Sequence, residues 1–189
     1  EMDHTTEHQY QNLSIKGLSK AVLVTGGAGY VGSHTCKFLA KNGFTPIVID
    51  RDLKTKFKPA KFGPIFDINL PQEIERLEEI IKRFNITSCI HFAGSASVAE
   101  SVKNPSEYYK NNVIATVVLL DKLIECGVKT FVYSSSAATY GDPGFRKCRE
   151  SDVPNPISAY GSSKLMMEMI CKDYQRAYGL SSVGLRYFN

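Results

Sequence analysis

The chain reads as an α/β protein built on a doubly wound parallel sheet, the Rossmann-type nucleotide-binding fold. Three observations predict it. Short β-branched runs alternate with longer stretches of helical spacing from residue 21 onward. The first run stops at glycines that open a helix. The second run ends on an acid, Asp50.

In order, Ala21-Val22-Leu23-Val24-Thr25 is apolar on both sides of its alternation, as a buried parallel strand requires. Residues 30–42 follow as a helix that ends at Asn42-Gly43, a good stop signal. Thr45 to Asp50 is the second strand and completes a βαβ unit. Pro64 to Asp67 is a short strand. Ile74, Leu77, Ile80 and Ile81 give residues 71–84 a helical period. Strands at 86–92, 129–134 and 182–187 alternate with helices at 105–126 and 159–178. Right-handed crossovers place helices on both faces of such a sheet. Residues 1–20 are polar and aperiodic and are expected to be a partly ordered leader, so the domain runs over 21–189.

Composition narrows the function. With 43% hydrophobic and 22% charged residues, the chain resembles ordinary water-soluble domains. No apolar run approaches the ~20 residues of a membrane span, and no signal segment opens the chain, so a cytoplasmic protein is expected. A net charge of +4 suits an anionic nucleotide but is too weak to argue for nucleic acid. The densest basic cluster, Lys54, Lys56, Lys58 and Lys61, reads as a solvated loop. The five cysteines have no metal-ligand spacing and read as reduced thiols, and the four histidines are scattered, so no metal site is expected.

Glycines at 26, 27, 29 and 32 lie between a predicted strand and a predicted helix. The position demands small residues: the turn is tight, the backbone approaches a pyrophosphate, and the helix packs close to the sheet. The free N–H groups and partial positive charge of the helix start then favour phosphate. Asp50 can accept both ribose hydroxyls and repels a 2′-phosphate, which favours NAD over NADP.

Tyr160 and Lys164 are four apart on a predicted helix and share a face. A free phenol, titrating near 10, is a poor base at neutral pH. A cation at ~4 Å supplies about 4 kcal/mol at an effective dielectric of 20, enough to bring a phenol into the working range. Ser134-Ser135-Ser136 ends a predicted strand, where ligands of such sheets bind. A hydroxyl there can bond the reacting oxygen, and spacing alone does not choose among the three serines.

Together, Thr25 to His34, Asp67-Ile68, His91-Phe92-Ala93-Gly94, Glu100-Ser101-Val102, Tyr108 to Val113, Ser134 to Ser136, Ser158 to Lys164 and Leu185 to Asn189 resemble the extended short-chain dehydrogenase/reductase family, and within it the UDP-hexose 4-epimerases. The resemblance covers roughly residues 20–189. It implies that Gly26, Gly29 and Gly32, with Tyr30 and Val31 between them, line the pyrophosphate of NAD and Asp50 its ribose. Asp67 and Ile68 would flank adenine. Phe92, Ala93 and Gly94 would line the cofactor channel with Asn112 and Ser134 near it, and Tyr187 would lie by the nicotinamide. Ser136 would be the catalytic hydroxyl, Tyr160 the base, Lys164 its electrostatic partner, and Asn189 would reach the substrate. The implied activity is interconversion of UDP-glucose and UDP-galactose by reversible oxidation at sugar C4, in galactose metabolism. The implied assembly is a homodimer through the helices at 105–126 and 159–178. Ala96 departs from the family, which carries a lysine there. The resemblance also implies a substrate portion after Asn189, so this chain is expected to be the NAD-binding part. A 4,6-dehydratase is disfavoured because no carboxylate follows Ser136. A related nucleotide-sugar epimerase or decarboxylase, and an NAD-binding module without turnover, remain as alternatives.

Overall fold

A computed structural model describes residues 20–51, 53 and 62–188. Most of the expected leader, the lysine cluster at 54–61 and Asn189 lie outside the described residues. Six strands form one parallel sheet: β1 (Ala21–Thr25), β2 (Thr45–Asp50), β3 (Ile65–Asp67), β4 (Ser88–His91), β5 (Thr130–Ser136) and β6 (Ser181–Tyr187). Their spatial order is β3-β2-β1-β4-β5-β6, the doubly wound order of dinucleotide-binding folds. β1 pairs with β2 on one side and β4 on the other. The direction of winding reverses between β1 and β4, which opens a crevice at the carboxyl ends of those strands.

Helices α1 (Tyr30–Lys41), α2 (Glu75–Phe84), α3 (Val98–Lys103), α4 (Pro105–Tyr108), α5 (Ala115–Glu125) and α6 (Ala159–Tyr178) cover the sheet. Alternation along β1 divides the core. Leu23 faces Ile47, Leu77, Leu119, Phe131 and Met167 in one layer, whereas Val22 and Val24 join Cys36 and Val48 in the other. On α2, Leu77, Ile80, Ile81 and Phe84 repeat at the helical period and are buried. Asn85 then ends that helix in the left-handed conformation at φ 48°. Helix α6 is capped by Ser158, whose hydroxyl accepts the Gly161 N–H at 3.1 Å, and is stopped by Gly179 at φ 70°.

The structure departs from the sequence reading in four places. Strand β5 continues through Ser136 instead of ending at Ser134, because β6 pairs with it residue for residue up to Ser136 and Tyr187. The helix expected at 71–84 starts only at Glu75. The helix expected at 105–126 is α4, a π-helical stretch Tyr109–Ile114, and α5. Helix α3 was not anticipated. It is too short to show a period, and its start is set by the Ser97 hydroxyl accepting from the Glu100 N–H at 3.3 Å. Asn104 separates it from α4, which Pro105 opens at its first position.

Leu119 is fully buried on α5 in the larger core layer. Leu119→Ala should cost about 2–5 kcal/mol in urea unfolding. Phe38→Ala, at a side chain 68% exposed, should change stability by less than about 0.5 kcal/mol.

Candidate functional site

The crevice is walled by backbone. Gly26, at φ 67°, passes so close to the β4 exit that a Cβ there would lie 2.6 Å from the Ala93 nitrogen. A Cβ on Gly32 would run into the Gly26 carbonyl oxygen. Gly29 caps α1 without a side-chain partner, and no acid occupies the helix's first turn. The N–H groups of α1 therefore face the crevice mouth unneutralised, which suits a phosphate. The Asp50 carboxylate braces the turn, accepting the Ala28 N–H at 3.0 Å and the Arg51 N–H at 2.8 Å.

A crevice of about 190 Å³ is lined by Gly26, Gly29, Asp50, Ile68, Phe92, Ala93 and Gly94, all anticipated from the sequence. Thr25, Ile49, Leu70, His91, Asn111 and Ala115 line it as well and were missed, and Arg51, which follows Asp50 in sequence and could tolerate a phosphate, lines it too. Tyr30 and Val31 instead project outward, Tyr30 edge-on to His34, so that only their backbone belongs to the helix start. Asp67 is exposed on the rim, where its carbonyl accepts from Arg76 at 2.9 Å.

Asn112 lies behind the crevice wall, where a Cβ on Gly94 would come within 2.7 Å of its Oδ1. It is fully buried, donating to the Ser95 carbonyl and the Ser163 hydroxyl, each at 3.0 Å, and accepting the Ser95 N–H at 2.8 Å. Asn111 is the asparagine at the crevice, and it donates to the Ser95 hydroxyl at 3.0 Å. The π-helical stretch holds both residues and turns each away from the direction an α-helix would give it.

The floor is a neutral relay. Thr116 donates to the Asn112 carbonyl at 2.6 Å and so accepts from His91 Nε2 at 3.2 Å. His91 Nδ1 then accepts from the Thr25 hydroxyl at 2.6 Å, and Thr25 accepts the Ala93 N–H at 3.3 Å. Burial, with Lys164 nearby, pushes the His91 pKa down to about 3, in keeping with the neutral tautomer this network needs.

The three serines have separate roles. Ser134 holds Lys164, whose Nζ donates to the Ser134 carbonyl at 3.0 Å and hydroxyl at 3.3 Å. Ser135 turns away to Glu168. Ser136 is buried at the start of a 3₁₀ turn (Ala137–Tyr140), where its hydroxyl accepts the Ala138 N–H at 3.1 Å and keeps its own proton to donate. Tyr160 is half-buried and edge-on to Tyr108, with ring centroids 6.4 Å apart. Lys164 Nζ lies 6.0 Å from the Tyr160 ring centroid. Tyr187 is the register partner of Ser136. The structure thus brings Ser134, Ser136, Tyr160, Lys164 and Tyr187 to the ends of β5 and β6 and the start of α6, beside the crevice.

Such an arrangement defines a doubly wound domain with a glycine turn at its switch point and a buried lysine one helical turn from a tyrosine. The chain belongs to the NAD dependent epimerase/dehydratase family, whose pattern matches residues 22–189. It is 44% identical over 173 residues to the UDP-glucose 4-epimerase of Halalkalibacterium halodurans, a match covering 89% of this chain and 50% of that protein. The UDP-glucose 4-epimerase from Brucella ovis, solved in complex with NAD, superposes with a TM-score of 0.85 at 42% identity, covering 90% of this chain and 52% of that one. The UDP-Glc/GlcNAc 4-epimerase from Campylobacter jejuni gives 0.82 at 34% identity, covering 90% and 54%. The chain spans about half the length of the relatives it matches. Among the described residues no helix is long and apolar enough to cross a membrane, and no cluster of metal ligands occurs.

Burial alone lowers the Lys164 pKa to about 8 from an ordinary 10.5. Between those values the unfolded chain holds a proton that the folded chain has lost, so this group's contribution to stability improves as pH rises through that window. Below it, the full cost of burying the cation remains. Lys164→Met should therefore be more stable than the parent at pH 7 by about 1–3 kcal/mol, and the gain should shrink between pH 8 and 10.5. Urea unfolding of both proteins across that range measures it.

Proposed function

We propose that the chain binds NAD across the carboxyl ends of β1, β2 and β4 and forms part of an enzyme that interconverts UDP-glucose and UDP-galactose by reversible oxidation at sugar C4. The observation that carries this reading is the pairing of a glycine turn at the switch point with Tyr160 and Lys164 on one face of α6, in a chain at 44% identity to a UDP-glucose 4-epimerase. The residues fit the cofactor. The open N–H groups of α1 take the diphosphate, Asp50 takes the adenosine ribose, and Ile68 and Leu70 supply an apolar wall for adenine. Gly94 and Asn111 face the remaining stretch.

Bound NAD supplies the oxidising and reducing power at C4 and ends each cycle unchanged. The chain's own residues move the proton. Tyr160 removes it from the C4 hydroxyl, directly or through Ser136, and returns it when the opposite face is reduced. Lys164 provides the positive field beside the phenol, and burial makes that field stronger than it would be in water. Asn189 is assigned to the substrate side. We also assign the protein to the cytoplasm, in keeping with five cysteines that are all free thiols.

NAD titrated into the protein by calorimetry should saturate at one per chain. Tyr160→Phe should retain that binding and lose at least about 10²-fold in UDP-galactose turnover. Failure to bind NAD, or undiminished turnover in Tyr160→Phe, overturns the reading. The same proposal includes a homodimer through the helices at 105–126 and 159–178, which leave Ile114, Met166 and Met169 in solvent. Light scattering at micromolar protein should give twice the 21.0 kDa chain mass, and a monomer would count against that assembly.

A further inference from the structure

Tyr160, Lys164 and Glu168 follow one another at intervals of four, so they climb one face of α6. Lys164 reaches the end of β5 through Ser134, and Glu168 reaches it one turn later through Ser135. Glu168 Oε1 accepts from the Ser135 hydroxyl at 2.5 Å and from Arg186 Nε at 2.8 Å, while Oε2 accepts from Arg186 Nη2 on the same edge of the guanidinium at 2.6 Å. Ser135 and Arg186 are register partners across β5 and β6, and the next pair along is Ser136 with Tyr187. The guanidinium carbon also sits 4.6 Å over the ring of Tyr140, in the turn that follows Ser136. One carboxylate thus grips two strands and, through Arg186, the turn, one residue short of Ser136.

The grip is directional. A planar fork bonded twice to a carboxylate fixes angle as well as distance. Apolar packing at the same spot would press α6 onto the sheet without setting how far it slides. Burial raises the Glu168 carboxyl, but the Arg186 and Ser135 hydrogen bonds outweigh it and hold the group below its usual range, so it stays ionised. Slide matters here because one residue of helix is 1.5 Å, and a misplacement of about 1 Å at a reacting centre can cost 10²-fold.

We propose that Glu168, acting through Arg186 and Ser135, is a positioning residue that sets the advance of α6 along β5 and so fixes Tyr160 and Lys164 relative to Ser136. The inference rests on the roles proposed above for those three residues, but its test needs neither turnover nor bound NAD. The double variant Glu168→Leu/Arg186→Met replaces the pair with apolar groups, an exchange that cores often tolerate. The Lys164 side chain is followed by NMR in lysine-labelled protein, its resonance assigned with Lys164→Met. In the parent it should titrate at about 8. In the double variant its midpoint should rise by at least about one unit, because a slipped helix lets water reach the amine. A folded double variant with an unmoved midpoint overturns the proposal, since a pair serving global stability alone would leave that titration where it was. If the double variant does not fold, Ser135→Ala removes the strand tie and keeps the ion pair. An upward shift of about half a unit then supports the proposal, and no shift overturns it. NAD binding measured on the same samples reports separately on the proposed function.

Discussion

Backbone meets backbone where Gly26 passes the exit of β4, and the site is arranged around that contact. No side chain fits between Gly26 and Ala93, or between Gly32 and the Gly26 carbonyl, so the glycine turn and the β4 exit become a single wall. Asp50 and Thr25 then tie that wall to β2 and to the floor. The close approach leaves α1's first N–H groups pointing into the gap between β1 and β4, where winding direction changes. Were the two loops a side chain further apart, the helix terminus and the Tyr160–Lys164 pair would no longer border one crevice.

Around this wall the chain handles buried polar groups in three ways. His91 stays neutral and passes hydrogen bonds from the Ala93 N–H to the Asn112 carbonyl. Glu168 and Arg186 are both charged and satisfy each other. Lys164 is given neutral oxygens from Ser134 and is left electrostatically costly. That contrast is informative. A cation with a carboxylate beside it would be comfortable and would have little field to spare for a phenol, whereas one held by a carbonyl and a hydroxyl keeps its field available.

The sheet, its parallel winding and the helix at 159–178 were legible in the sequence because β-branched runs and glycine punctuation are local signals. The glycine turn, Asp50 and the Tyr160–Lys164 pair were legible for the same reason: each needs a residue type at a fixed short spacing. The floor was not. Thr25, His91 and Thr116 lie far apart in the chain and become partners only when β1, β4 and α5 are stacked. Which of Asn111 and Asn112 reaches the crevice is not legible in the sequence, since a π-helical stretch alters the angle per residue without a compositional mark. The serine triplet could not be divided by spacing either. Its division depends on β5 extending to Ser136 and on which groups of α6 descend to meet each hydroxyl.

The grip of Glu168 on Arg186 also decides where β6 spends its charge. Val183 and Leu185 of that strand are open to solvent. Arg186 is the sole charged residue between Ser181 and Tyr187, and it is folded inward toward α6. A charge that a strand would ordinarily show to water is thereby enclosed between a carboxylate and an aromatic ring, and removing either partner of the ion pair would leave the other stranded.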